Sequence, residues 1–391
     1  MEAVTDVVFR HVVKQACAPD VFFTEFANAT GWVHAGDKAI AGRLVKTDDE
    51  HPLVAQIWGG EPGDMEQFAS HCARLSFDGI DINMGCPAKS AIKSGGAALI
   101  RRPDVAVAAI AAAKTAGLPV SVKTRLGYSR VDEWKEWLGT LLTQELANLT
   151  IHLRTKKEMS KVPAHYELID DIIKLRDEIA PQTLLTINGD IRNRAHGEEL
   201  ARQHPGLNGI MIGRGIFSDP FCFRASRAVS QKKSGQLYVS PGLFSDDTRE
   251  MGNKYAKLET VEHSRGADVS AERSRSISSG DTSEKSTPAQ ERGAGDADFA
   301  DDVREASEAI RKEYSEGAEL SITTRKTELI ALLHYHLDLF DHYQPTLGRP
   351  FETLKRFFKI YIRDFDGAKE LRDQLMHTKN TSEARQILEK I

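Results

Sequence analysis

The sequence predicts an α/β fold: an eight-fold β/α barrel of the TIM type, with its first strand truncated, followed by a small C-terminal helical bundle. Three observations predict it. Short apolar runs alternate with longer amphipathic stretches through residues 1–220. Polar residues stand at the C-terminal end of nearly every run. From residue 321 the apolar residues recur at helical spacing.

The runs are residues 21–26, 53–58, 79–84, 119–124, 149–154, 184–188 and 209–213. Each is short and rich in Val, Ile, Leu or Phe, as expected of a strand buried on both faces of a parallel sheet. Between them, residues 65–75, 103–116 and 166–179 carry apolar side chains three and four apart, the period of a helix. Pro103 suits a helix start and Gly117 a helix end. Repeated strand–helix units give a parallel sheet, doubly wound or closed. The strand ends favour closure. They carry Glu25, Gln56, Asn83 with Cys86, Lys123 with Arg125, His152 with Arg154, Asn188 with Asp190, and Arg214. Side chains alternate along a strand, so Lys123 and Arg125 share a face, as do His152 and Arg154. Polar groups ending many strands make the rim of a barrel, whereas a doubly wound sheet gathers its site at one switch point. An eighth run would have to lie just before or at Met1.

Charge divides the chain further. The net charge of -5 resolves into +1 over residues 1–239, -8 over 240–320 and +2 over 321–391. Residues 240–303 are dominated by Ser, Gly, Asp, Glu and Arg, too little apolar surface to offset their ordering entropy. The expected domains are therefore a barrel over 1–235, an acidic and largely disordered linker over 236–320, and a helical domain over 321–391. Residues 302–314 could form a short exposed helix within the linker. In the last segment Leu329, Leu332, Leu333, Leu337 and Phe340 form one stripe. Phe351, Leu354, Phe357, Phe358, Tyr361, Ile362 and Phe365 form a second, and Ala368, Leu371, Leu375 and Met376 a third, as in a helical bundle.

Four scattered cysteines give no disulfide framework, and no CxxC pair points to a zinc site. No apolar run approaches the ~20 residues that span a bilayer, and the N-terminus lacks a basic region followed by an apolar stretch. A monomeric, cytoplasmic protein with no metal and no membrane partner is the expectation.

Two glycine-bearing strand ends, Asn188-Gly189-Asp190 and Gly213-Arg214-Gly215, lie where a β/α barrel places its phosphate site. Glycines let backbone N–H groups approach a phosphate closely, and Arg214 adds charge; the plain alternative is a pair of tight turns. Lys123 ends a buried strand, which is costly unless the ammonium meets an anion. A ring that becomes anionic on reduction would supply one, and an internal pair with Glu25 or Asp81 is the alternative. Cys17, Cys72 and Cys222 suit the commoner role of a cysteine, a small buried hydrophobe. Cys86 differs. It lies between Gly85 and Pro87, just past a strand end, and is followed by a small-residue loop with two cations, Lys89 and Lys93. A thiol there can act as acid, base or nucleophile, and spacing does not choose among them.

These segments carry a family resemblance. Residues 1–6, 56–59, 81–87 (Asp-Ile-Asn-Met-Gly-Cys-Pro), 122–127 (Val-Lys-Thr-Arg-Leu-Gly), 152–155, 188–190 and 212–215 resemble, in order, the motifs of tRNA-dihydrouridine synthases. The likeness spans about residues 1–225 and resumes weakly in the C-terminal segment. It implies an FMN-binding barrel, a helical tRNA-binding domain, and NADPH (or NADH) as reductant. Reduced FMN would pass hydride to carbon-6 of a uracil, and Cys86 would protonate carbon-5. Carried over by position, Met1, Gln56, Lys123 and His152 would contact the cofactor, with Asn188, Gly189, Asp190, Gly213 and Arg214 at its phosphate end. Asn83 and Arg154 would hold the uridine. Lys89, Lys355 and Lys359 would meet tRNA, the last two sharing a helix face by their four-residue spacing.

Three features depart from the family pattern. Met1 stands where the motif follows a strand, so the first strand should be missing or truncated, leaving open edges. Leu153 replaces a small residue and is expected to crowd the pocket. The acidic linker would repel tRNA if it lay on the binding face. The rival readings are an FMN barrel acting on a small molecule such as a pyrimidine, and a catalytically impaired tRNA-binding protein.

Overall fold

Eight parallel strands form one curled sheet in the computed structural model, which describes residues 4–40, 42–225 and 325–391. The linker predicted over residues 236–320, its short helix, and Met1 lie outside the described residues. The strands are β1 (Phe22–Phe23), β2 (Ala27–Asn28), β3 (Leu53–Trp58), β4 (Gly79–Asn83), β5 (Val120–Arg125), β6 (Asn148–His152), β7 (Leu184–Asn188) and β8 (Gly209–Met211). From β3 to β8 each strand pairs with the next, and helices such as Pro62–Arg74, Pro103–Lys114 and Ile169–Ile179 cross between them. Pro103 opens its helix as its fixed φ allows. The expected run at 21–26 is two short strands, β1 and β2, both paired with β3. No pairing joins β8 to β1 among the described residues, so the sheet curls without closing.

The two faces of the sheet differ. Ile57, Ile82, Val122, Leu149, Ile151, Leu185 and Ile187 are fully buried against the surrounding helices. The opposite face of β5 to β7 carries Ser121, Lys123, Arg125, Asn148, Thr150, His152, Thr186 and Asn188. The outer face is buried, as expected, but the inner face is polar and half-exposed at Lys123, Asn148, His152, Thr186 and Asn188, where a barrel core is ordinarily branched, apolar and filled.

A helix precedes β1: α1 (Val7–Cys17), with the Asp6 carboxylate accepting from the Phe9 N–H at 2.9 Å as its N-cap. Its apolar face shares one core with the C-terminal residues. Phe9, Val12 and Val13 pack with Leu329, Leu333, Leu337, Phe357 and Phe358, and with Ile216 and Phe221 just after β8. Residues 325–347 are helical, and the helices Ala368–Met376 and Thr381–Leu388 follow. The single helix expected across the aromatic stripe from Phe351 to Phe365 is not formed. Two single turns, Glu352–Lys355 and Phe358–Tyr361, stand in its place. Phe351, Leu354, Phe357, Phe358, Ile360, Tyr361 and Ile362 are all buried. The buried apolar residues fall at consecutive positions, 357–358 and 360–362, which one stripe of a single helix cannot bury together. Among the described residues no helix is long and apolar enough to cross a membrane.

A buried ion pair ties α1 to the segment before β3. Arg10 donates to Glu50 from Nε at 2.6 Å and Nη2 at 3.0 Å, and also to the carbonyls of Thr5 and Val45, each at 2.8 Å. Both side chains are almost wholly buried. Removing one partner strands the other charge away from water. Glu50→Ala is expected to cost about 3–5 kcal/mol in reversible denaturant unfolding. An unchanged unfolding midpoint would show that the charge finds water instead.

Candidate active site

A cavity of ≈ 1390 Å³ occupies the concave side of the sheet and reaches its C-terminal rim. Inward side chains from β3 to β8 line it, together with Phe9 and Val13 of α1. Parallel strands with polar residues at alternate positions produce such a wall directly: every second side chain faces the concave side.

On one part of the wall, amides and hydroxyls are joined across strands. Gln56 donates to Asp81 at 2.7 Å and Ser121 donates to its other oxygen at 2.6 Å. Asn83 donates to the Gln56 side-chain oxygen, Oε1, at 3.1 Å. The Asn83 side-chain oxygen then accepts from the backbone N–H groups of Gly85 at 3.1 Å and Cys86 at 2.9 Å. That fixes the turn presenting Cys86, and Ala97 N–H clasps the Cys86 carbonyl at 3.0 Å from the other side. Arg125 donates to the Gly85 carbonyl at 2.8 Å, and to those of Met159 at 2.9 Å and Thr155 at 3.1 Å. It therefore ties the cysteine turn to the loop after β6. A thiolate formed at Cys86 would be close enough to the Arg125 charge to interact with it. Cys72 and Cys222 are buried, and desolvation pushes both thiols up to about 12.

The other part of the wall is cationic. Among the described residues Lys123 makes no ion pair: Glu25 is held by Arg349, and Asp81 is engaged by Gln56 and Ser121. It exposes some surface, but only to the cavity. Removal from bulk solvent governs its ammonium, with Arg125 adding repulsion and Asp81 opposing, and holds its pKa down to about 7. Burial and then the cations Lys123, Arg125, Arg154 and Arg214 push His152 down to about 2, so its ring is neutral. Arg154 lies 3.1 Å from His152 Nε2. A guanidinium can only donate, so Nε2 accepts and the ring proton sits on Nδ1. Arg154 also donates to the Val162 carbonyl at 2.6 Å and to the Asp190 carboxylate. That contact, ahead of Arg214 at 3.5 Å, keeps Asp190 ionised below the usual carboxylate range.

Gly189 between them has φ of 128°, and a Cβ there would meet Ala164 at 3.0 Å and His152 at 3.3 Å. Tyr166 donates its hydroxyl to the Gly189 carbonyl at 2.6 Å. The rim here is thus a fixed glycine turn with the exposed cation Arg214 beside it.

Gln56, Asn83, Cys86, Lys123, His152, Asn188, Gly189, Asp190, Gly213 and Arg214 all line this one cavity. Arg154 does not; it is buried behind the wall. Lys89 is exposed on the loop beyond Cys86. Lys355 lies over the Phe351 ring and Lys359 over Phe217, and the break between their turns removes the four-residue register that would align them on one helix face. Leu153 is fully buried in the core outside the sheet and does not crowd the cavity. The residues that motif reading passed over are Ser121, Asn148, Thr150 and Thr186. Their signal was the two-residue period that also carries Lys123 and His152.

The family model for dihydrouridine synthase (Dus) matches residues 1–266. The chain belongs to the dihydrouridine synthase family. It is 44% identical over 391 residues to a probable tRNA-dihydrouridine synthase 2 of Bacillus subtilis (strain 168), covering all of this chain and 91% of that protein. A probable tRNA-dihydrouridine synthase of Staphylococcus aureus (strain Mu50) is 42% identical, again over the whole chain and 90% of its own length. One from Staphylococcus epidermidis (strain RP62A) is also 42% identical over the whole chain and 91% of its own length. In this member of the family the cysteine turn and the cationic wall face the same space.

Proposed function

We propose that this chain reduces a uridine of tRNA to 5,6-dihydrouridine, using FMN and a nicotinamide reductant. The observation that carries the reading is that Cys86 and the amine of Lys123 line one cavity in a member of this family. FMN fits the residues present: Lys123 offers a cation that makes no ion pair among the described residues, His152 a ring N–H, and the Gly189 turn with Arg214 a seat for phosphate. When bound, reduced FMN supplies the hydride for uracil carbon-6, and NADPH or NADH restores it.

The protein's own part is positioning and the proton. Cys86 gives its S–H proton to carbon-5: the S–H bond breaks, the C–H bond forms, and sulfur keeps the electron pair. The guanidinium of Arg125 stabilises the resulting thiolate. Asn83 holds the turn that aims the thiol. Arg154 is assigned to fixing Asp190 and the His152 tautomer, since its guanidinium is already committed to them. A uracil in folded tRNA must leave its stack to reach this depth.

The test is to incubate the full chain with FMN, NADPH and an unmodified tRNA transcript and to quantify dihydrouridine by mass spectrometry. Formation of the product is expected. NADPH-dependent reduction of a free pyrimidine with unmodified tRNA would overturn the assignment.

A further inference from the structure

The loops that follow β4, β5 and β6 meet at the C-terminal end of the sheet and gather cations that no carboxylate among the described residues neutralises. Arg101 ends the short helix Gly96–Arg101 that follows the cysteine turn; its guanidinium lies 3.9 Å from the centre of the Tyr128 ring. Tyr128 belongs to the loop after β5. Lys156, from the loop after β6, places its ammonium 4.8 Å from the same ring. Backbone bonds lock the last two loops together: Lys156 N–H to the Gly127 carbonyl at 2.8 Å and Lys157 N–H to the Tyr128 carbonyl at 2.9 Å. Arg101 also donates to Ser129 at 3.2 Å.

The nearby acids are engaged elsewhere. Asp132 pairs with Arg130 at 2.9 Å, and Glu133 accepts from the backbone of Tyr128, Ser129 and Arg130. Glu158 is held by His165 and by the Thr155 N–H. That leaves Arg101, Lys156 and the exposed Lys157 without a carboxylate partner among the described residues. Two like charges at one ring repel. The ring's negative face offsets part of this, and an anion laid across both would offset the rest.

We propose that Arg101, Tyr128 and Lys156 form a docking platform for the RNA backbone flanking the nucleotide in the cavity. The inference rests on the uridine-reducing reading above and adds a site to it. Ala97 bonds to Cys86, and Arg101 lies four residues further along a 3₁₀ helix, roughly 8 Å at about 2 Å per residue. A strand whose base enters beside Cys86 would lay its neighbouring phosphates over this platform. Phosphate contacts fix orientation without reading sequence, so the platform would serve any uridine that the rest of the protein brings to the mouth.

The test uses the full-length flavin-loaded protein, Arg101→Ala, Lys156→Ala and the charge-keeping Arg101→Lys. Affinity for an unmodified tRNA transcript is measured by fluorescence anisotropy across a salt series. Each alanine variant is expected to weaken binding several-fold and to reduce the slope of log affinity against log salt by about 0.7, the value for one lost single-strand phosphate contact. Arg101→Lys should keep most of the slope. NADPH oxidation without tRNA should be the same in all four proteins, showing that cavity and cofactor are intact. Unchanged affinity and slope in both alanine variants, or no tRNA binding by the parent protein, would overturn the platform. If the variants behave as expected while the parent forms no dihydrouridine, the platform stands and the catalytic reading falls.

Discussion

Cys86→Ala is expected to lower dihydrouridine formation by about 10²–10⁴-fold, the usual contribution of a positioned general acid, with flavin uptake unchanged. The backbone geometry supports such a clean separation. The turn is held through the Cys86 N–H by Asn83 and through the Cys86 carbonyl by Ala97, and neither bond uses the side chain. Alanine keeps the Cβ and removes only the sulfur. The groups assigned to the flavin, Lys123, His152 and the Gly189 turn, stand on β5, β6 and the end of β7, and the bonds that hold the cysteine turn come from Asn83, Ala97 and Arg125 instead of from their side chains. Dihydrouridine is counted by mass spectrometry after single-turnover mixing of pre-reduced protein with tRNA. Turnover at the parent rate would place the acid on another residue. Cys72 and Cys222 are poor substitutes, because burial raises both thiols to about 12, making them weak proton donors, and keeps them out of reach.

What the sequence made legible here followed from short-range periodicity. The two-residue alternation in β5, β6 and β7 put Lys123, Arg125, His152 and Asn188 on one face, and they do line one cavity. Pro103 and the apolar spacing after it set a helix that begins where expected. Long-range pairing left no such trace. Glu25 ends its run as a rim residue should, yet it is fully buried and held by Arg349, which also binds Asp6 at 2.6 Å. An arginine 324 positions away gives no local pattern to read. The same holds for α1. Its apolar face has helical spacing, but only the fold reveals that the C-terminal residues cover it. Arg154 was visible as a strand-end cation. That it supports Asp190 and His152 from behind the wall depends on the geometry of the loop after β6.

Lys123 yields the prediction with the clearest sign. Its ammonium is held at about 7 by loss of bulk solvent, against an ordinary value near 10.5. The groups around it push in different directions: Arg125 lowers it and Asp81 raises it, while neutral His152 adds no charge. Between those two pH values the unfolded chain binds more protons than the folded one, so the ligand-free protein should gain stability as pH rises through that window. An anion placed against Lys123 reverses the preference, because it favours the charged amine in the folded state. Binding then takes up a proton above pH 7. Affinity for the anion should fall with rising pH, by up to about tenfold per pH unit while the amine is neutral in the free protein and charged in the bound one. FMN titrations followed by fluorescence quenching, from about pH 6 to about pH 9, read this directly, and thermal melts of the flavin-free protein read the opposite slope. Lys123→Met should flatten both curves and weaken FMN binding most at the acidic end, where the parent amine is fully charged. A parent affinity independent of pH would show that the amine meets no anionic part of the cofactor. The cation of β5 would then have to be matched instead by charge on the substrate side of the cavity.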